Sequence, residues 1–194
     1  MRNATVSRNT TETQVSVSVA LDGKGQYDVS TGVGFFDHML QLFARHSKID
    51  LIAKCTGDVY VDSHHTVEDT GIALGQAISR ALGNKAGIRR YGTFTVPMDE
   101  TLALVSMDIS GRPFIVFDAP LSKGKLGDFE VETAEEFFRA VAVAAGITLH
   151  MKVLYGRNDH HMIEALFKAF ARALREAVEP DPREEGIPST KGVL

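Results

Sequence analysis

Cysteine is almost missing: Cys55 stands alone among 194 residues, so the chain holds no internal disulfide framework and suits a reducing compartment. No apolar run approaches the ~18 residues of a membrane span. The opening stretch Met1-Arg2-Asn3-Ala4-Thr5-Val6 lacks the apolar segment of a signal peptide. A cytoplasmic chain is the expectation. Positive charge is not in excess either, since the formal net charge is −4, and no basic field invites nucleic acid or a membrane surface. Proline is scarce, yet Pro180, Pro182 and Pro188 all fall in the tail after Glu179 and, with Gly186, exclude regular structure there. What is present is ordinary for a globular protein: 44% hydrophobic and 24% charged residues, enough for a normal core in one compact domain or two small fused ones.

The chain repeats itself. Glu12-Thr13-Gln14-Val15-Ser16-Val17-Ser18-Val19-Ala20-Leu21-Asp22-Gly23 lies over Glu100-Thr101-Leu102-Ala103-Leu104-Val105-Ser106-Met107-Asp108-Ile109-Ser110-Gly111. A second strand-like run follows each, Tyr27-Asp28-Val29 and residues 113–117, and glycine between two such runs reads as a hairpin. Helical patterns come next, Phe35-Phe36-Asp37-His38-Met39-Leu40 and Glu135-Glu136-Phe137-Phe138-Arg139-Ala140, then strands from Ile49 and Ile147. Last comes a helix opening with paired histidines, His64-His65-Thr66-Val67-Glu68 or His160-His161-Met162-Ile163-Glu164. The offset is 88 at the Glu-Thr pairs and 96 at the histidines, which a single insertion at 121–132 accounts for. The predicted fold is α+β: two β-β-α-β-α halves, 1–88 and 89–179, related by a pseudo-twofold axis, each a largely antiparallel sheet with helices on one face, plus a tail at 180–194.

Asp62-Ser63 and Asn158-Asp159 are good helix N-caps, which puts both histidine pairs in first turns. Residues i and i+4 share a helix face and i+3 lies close to it, so Glu68 is expected near His64 and His65, and Glu164 near His160 and His161. Adjacent residues differ by roughly 100° around the axis, so neighbouring histidines serve two ions rather than one. Packing the halves together would let each ion take one histidine from each helix, a set that suits manganese, iron or zinc. His38 offers a further imidazole, and its repeat mate is Glu136, with His150 as the fallback. Neither the Glu-x-x-His of di-iron bundles nor the His-Glu-x-x-His of zinc hydrolases is present.

Phe35-Phe36-Asp37-His38-Met39-Leu40, Asp62-Ser63-His64-His65-Thr66-Val67-Glu68-Asp69, Asn158-Asp159-His160-His161-Met162-Ile163-Glu164-Ala165, the Phe167–Leu174 segment and the ending Pro188-Ser189-Thr190-Lys191-Gly192-Val193-Leu194 closely resemble the imidazoleglycerol-phosphate dehydratase family. The resemblance implies a hydro-lyase of histidine biosynthesis with two Mn²⁺ per site and active sites at the boundaries of an assembly of about 24 identical subunits. It implies one metal on His38, His65, His160 and Glu164, and the other on His64, Glu68, His161 and Glu136, where many relatives carry histidine. Its substrate is a phosphorylated imidazole, whose ring between two cations can stabilise negative charge developing beside it. Glu12 is the implied acid–base group, with His38 and Glu164 completing the catalytic set. Phosphate binding is implied for Arg90, Arg112, Lys168, Ser189, Thr190 and Lys191. Lys168, four residues past Glu164, also shares that ligand's helix face. Gln41, Arg45 and His46, on the His38 helix, are expected to line the pocket. Two other classes use the same ligands: a binuclear metallohydrolase acting on a phosphorylated metabolite, and a non-enzymatic metal-binding shell protein that would not need Arg90, Arg112 and Lys191.

Overall fold

The two rhythms resolve into fourteen elements in a computed structural model that describes residues 1–194. The first half runs β1 (Asn3–Asn9), β2 (Thr13–Ala20), β3 (Tyr27–Ser30), α1 (Gly34–Ser47), β4 (Asp50–Gly57) and α2 (His64–Leu82). The second runs β5 (Tyr91–Met98), β6 (Thr101–Asp108), β7 (Phe114–Asp118), an inserted hairpin of β8 (Lys125–Leu126) and β9 (Phe129–Glu130), α3 (Thr133–Ala145), β10 (Thr148–Tyr155) and α4 (Asp159–Val178). The sheets are ordered β1-β2-β4-β3 and β5-β6-β10-β7, the same topology twice. The α+β class and the duplication stand as read from the sequence.

Three details of that reading are corrected. Each half begins with a strand that the repeat alignment omitted. In β1 only Val6 is buried, and in β5 the alternation of Phe94, Val96 and Met98 is preceded by Gly92 and interrupted on the outer face by Pro97, which are strand-breaking signals in a sequence. Proline is tolerated in β5 because it is an edge strand. Second, Gly23 and Gly111 do not sit in hairpins. β2 already has β1 and β4 on its two edges, so β3 pairs in parallel with the far side of β4 instead. The Gly23 turn is held by Asp50 Oδ1, which accepts from the amides of Lys24 and Gln26 at 2.8 Å. Third, Asp50 opens β4 and Thr148 opens β10, an offset of 98. The insertion is therefore followed by a connector before the second histidine pair that is two residues shorter than the first.

The helices of each half cover one face of its sheet, and the halves meet helix to helix, α1 on α4 and α2 on α3. Phenylalanines fill that layer: Phe36, Phe43, Phe129, Phe137, Phe138, Phe167 and Phe170 are all fully buried. Phe36 meets Phe137 edge-on at 5.3 Å and Phe138 packs on Phe167 at 4.7 Å, tying α1, α3 and α4 together. Each such ring contributes about 1.5–3 kcal/mol on burial. α2 approaches α3 more closely because Gly71 and Gly75 present bare backbone to it. A Cβ on Gly75 would stand 2.7 Å from both the Val141 carbonyl oxygen and Ala144 Cβ. β5 comes as near to α4 at Gly92, where a Cβ would meet the Ala173 carbonyl. No helix is long and apolar enough to cross a membrane.

Gly75→Ala and Gly92→Ala should each destabilise the protein by about 1–3 kcal/mol through overpacking, read as a lower thermal unfolding midpoint. Gly34→Ala, where an added Cβ meets nothing within 4 Å, should leave that midpoint unchanged or raise it.

Candidate metal centre

α1 and α4 run parallel. Phe35 meets the His160 ring edge-on at 5.0 Å, His38 Nε2 lies 3.7 Å from Glu164 Oε2, and Phe43 stacks on Phe170. Asn158 caps α4, its side-chain oxygen accepting from the amides of His160 and His161 at 2.9 and 3.4 Å. One turn along, Glu164 Oε2 is 3.2 Å from His160 Nε2. The donor atoms of His38, His160 and Glu164 thus all lie within 4.8 Å of one another. Two imidazoles and a carboxylate are a donor set that fits a divalent first-row cation. Burial alone would raise the Glu164 carboxyl, but Lys168 Nζ at 2.6 Å and the nearby His160 and His38 outweigh it and hold it below its ordinary range. An ionised carboxylate is what coordination requires.

The same arrangement recurs at α2 and α3. Gly71 faces Phe137 and Gly75 faces Val141, so these helices are parallel too, and Glu136 stands at the same end as His64 and Glu68. His64 Nε2 is 3.8 Å from Glu68 Oε2. Glu136 is turned to Arg139, 3.5 Å away, and this trio does not close up as the first does. His150, the fallback for Glu136, lies exposed on the outer face of the second sheet, opposite Ser106 and Val116, away from all the helix starts.

His65 and His161 point elsewhere. Rings within each pair are 6.2 and 6.0 Å apart and nearly perpendicular, at 80° and 77°. Contrary to the expectation from i+3 spacing, Glu68 and Glu164 each reach only the first histidine of their pair, because the i+4 position aligns with it. His65 Nδ1 instead lies 3.0 Å from Asp58 and its Nε2 lies 3.8 Å from Glu12, an exposed residue of the β1–β2 hairpin. His161 Nδ1 lies 2.7 Å from Glu100 and its Nε2 lies 3.7 Å from Asp99, both in the β5–β6 hairpin. Asp58 raises the His65 pKa and Glu100 raises that of His161. Within the chain only His38, His160 and Glu164 close on one point. His64 and Glu68 approach each other without Glu136, and His65 and His161 turn away from both groups. Packing the halves therefore does not by itself bring one histidine of each helix to each ion.

The insertion touches both histidine helices. Ser63 holds the N-cap position of α2 without a side-chain cap bond, and Asp62 Oδ1 accepts from His64 N at 2.8 Å instead. Ser63 is drawn to Glu130, which accepts from both its amide, at 2.9 Å, and its hydroxyl. At the other motif, Ser122 N donates to Asp159 Oδ1 at 3.1 Å. Between them the buried Phe129 packs 5.2 Å from Phe35, the ring against His160.

Of the residues expected to bind phosphate, Lys168 lies beside Glu164 and the rest lie elsewhere. Arg90 donates to Asp108 at 2.7 Å and to the Pro188 carbonyl at 2.8 Å, Arg112 lies 3.9 Å from Asp108, and Ser189, Thr190 and Lys191 follow Pro188 in the tail. The amide of Arg90 bonds to Ala177 near the end of α4, which puts this group about 26 Å along the helix from His160. β6, from Thr101 to Asp108, gives a similar separation of about 23 Å. Gln41 and Arg45 share a recess with His38 and Tyr27, and His46 shares another with Lys168 and Arg172. Nothing in the sequence pointed to a role for Asp58, Asp99 or Glu130, and Glu100 entered only as a landmark of the repeat. Its place opposite Glu12 in the repeat was the one available signal.

A protein-family model described as Imidazoleglycerol-phosphate dehydratase matches residues 31–174. Curated relatives of that name include the Clostridium acetobutylicum protein, 62% identical over 193 residues covering 100% of this chain and 98% of the relative. The Symbiobacterium thermophilum protein is 64% identical over 189 residues, 97% of this chain and 91% of its own. Among solved structures, imidazoleglycerol-phosphate dehydratase of Staphylococcus aureus superimposes with a TM-score of 0.84 at 45% identity, covering 92% of this chain and 99% of that one. The Pyrococcus furiosus structure, in complex with (S)-C348, gives 0.84 at 35% identity over 97% and 100%.

Burial would raise Glu130, but Lys125 at 2.5 Å and Ser63 hold it at about 2. A depressed carboxylate stabilises the fold fully above its unfolded value near 4.5 and loses that contribution as pH falls toward 2. The stability gap between wild type and Glu130→Gln, measured by urea unfolding, should be constant at neutral pH and shrink progressively below about pH 4.5.

Proposed function

Because the chain belongs to the imidazoleglycerol-phosphate dehydratase family, a family of hydro-lyases, we propose that it converts imidazole glycerol phosphate to imidazole acetol phosphate and water, a cytoplasmic step of histidine biosynthesis, using two Mn²⁺ ions. The observation that carries this reading is the convergence of His38, His160 and Glu164 beside Lys168, built by two helices from opposite halves of the chain.

His38, His160 and Glu164 would hold one cation, and His64, Glu68 and Glu136 the other. His65 would complete the first and His161 the second, each supplied from a neighbouring subunit, since both turn away from the clusters of their own chain toward Asp58 and Glu100. The separation of roughly 25 Å between the metal cluster and the Arg90–Arg112 group supports the same sharing, because a small substrate cannot span it within one chain. Exposed Val59, Tyr60 and Val61, immediately before α2, supply apolar surface of the kind that packs against another copy. A closed assembly of about 24 subunits is the proposed form.

Bound cations would act as Lewis acids that favour the deprotonated form of the substrate's imidazole ring, whose electrons help expel the hydroxyl from the carbon attached to it. The protein's own residues do the rest. Glu12, 51% exposed and beside His65 Nε2, takes the proton from the carbon one removed from the ring. The hydroxyl on the ring-attached carbon leaves so that water is formed, and the resulting enol becomes the ketone. Glu164, kept ionised by Lys168, serves as a ligand rather than a proton carrier. Gln41, Arg45 and His46 line the recesses next to His38 and Lys168. Arg112 and Lys191, with Arg90, Ser189 and Thr190, bind the phosphate of a substrate seated on a neighbour's metals.

Purified protein with Mn²⁺ should form the keto product from imidazole glycerol phosphate without releasing phosphate. Free phosphate with no keto product would replace this reading with a metallohydrolase. Glu12→Gln should retain metal and assembly while losing at least 100-fold in turnover, of the order expected for a general acid–base group. Co-assembling inactive His160→Ala subunits with inactive Arg112→Ala/Lys191→Ala subunits in equal amounts should restore activity at about a quarter of the sites. No recovery would place both functions on one chain.

A further inference from the structure

We propose that Glu100 and Asp58 are positioning residues for the two metal sites, each accepting the Nδ1 proton of an outward-facing histidine so that Nε2 presents its lone pair to a cation. The inference rests on the assignment of His161 and His65 as the fourth ligands. A neutral imidazole has one N–H and one acceptor nitrogen, and an ionised carboxylate only accepts. With Glu100 Oε2 at 2.7 Å from His161 Nδ1, and both Asp58 oxygens at 3.0 and 3.2 Å from His65 Nδ1, the proton belongs on Nδ1 in both rings. A hydrogen bond from the distal nitrogen to a carboxylate fixes the tautomer and orientation of a ligating histidine.

The two carboxylates come from different places for a structural reason. In the first half the β4–α2 connector supplies Asp58. The β10–α4 connector is shorter and reads Gly156-Arg157-Asn158, with no acid. It passes so close to the hairpin that a Cβ on Gly156 would stand 2.6 Å from Thr101 Oγ1. Glu100 takes over from the hairpin, and the connector locks it: Oε1 accepts from the amides of Arg157 and Asn158 at 3.1 and 3.0 Å and from Thr101 Oγ1 at 3.2 Å. Glu100 is therefore held ready before any ion arrives.

That locking makes the isosteric variant informative. In Glu100→Gln the side-chain oxygen must stay with the two backbone amides, so the NH₂ faces His161 Nδ1 and can only donate to it. Nδ1 becomes the acceptor, the proton moves to Nε2, and the ligand is lost. Asp58 has no such anchor, so Asp58→Asn can turn its oxygen to Nδ1 and stay functional, while Asp58→Ala cannot. Mn²⁺ titration of the assembled protein, followed by the EPR signal of the free ion, should show two ions per chain in the wild type. Glu100→Gln should weaken one by about 10–100-fold and spare the other. Asp58→Ala should weaken the other ion by a similar factor, and Asp58→Asn should change little. Unfolding midpoints in EDTA should match the wild type for Glu100→Gln. Unchanged affinity for both ions in Glu100→Gln, or equal loss of both with a lower midpoint in EDTA, would overturn the assignment while leaving the two-metal reading intact. Wild-type protein that fails to bind two Mn²⁺ per chain would overturn that reading and this inference with it.

Discussion

Parallel contact between helices of opposite halves is the constraint on which the rest depends. α1 lies on α4 and α2 on α3 with their N-termini at a common end, so residues in the first turns of different halves meet. Antiparallel packing would separate the same side chains by about the length of a helix, roughly 20–30 Å at 1.5 Å per residue. The contact is driven by phenylalanine burial between α1, α3 and α4 and by bare glycine backbone between α2 and α3. The same interface therefore stabilises the fold and gathers the candidate metal-binding residues His38, His160 and Glu164.

Duplication supplied two similar frames that have since diverged in their details. His38 and Glu136 occupy equivalent places, one an imidazole in a closed cluster and the other a carboxylate paired with Arg139. Asp58 and Glu100 meet equivalent histidines from a connector and a hairpin respectively. The ten-residue difference in offset before α3 became a clasp, with Glu130 on Ser63 and Ser122 on Asp159, each contact one residue ahead of a histidine pair. The divergence lies in the side chains and loops, while the sheet orders remain identical.

A single chain carries all the proposed groups without bringing them to one place. Three residues of one cluster converge, two histidines turn away from it, and the arginine and tail group sits at the far end of the second sheet. A sheet and a helix are both stiff rulers, and both give a separation too great for a small phosphorylated substrate. That separation is what supports the proposal that sites are shared between subunits.

Sequence alone determined the α+β class, the duplication, the helix starts at the histidine pairs and the divergence of the two rings within each pair, because these follow from local periodicity and from the angle between adjacent residues on a helix. Glu164 beside His160 and Lys168 follows from spacing on one helix. Tertiary structure alone decided that His38 joins that cluster, that β3 pairs beyond β4, that Ser63 answers to Glu130 instead of capping its helix, and that His65 and His161 turn to Asp58 and Glu100. Each of those depends on which elements become neighbours, and residues as distant in the chain as Ser63 and Glu130 leave no periodic trace of one another until packing brings them together.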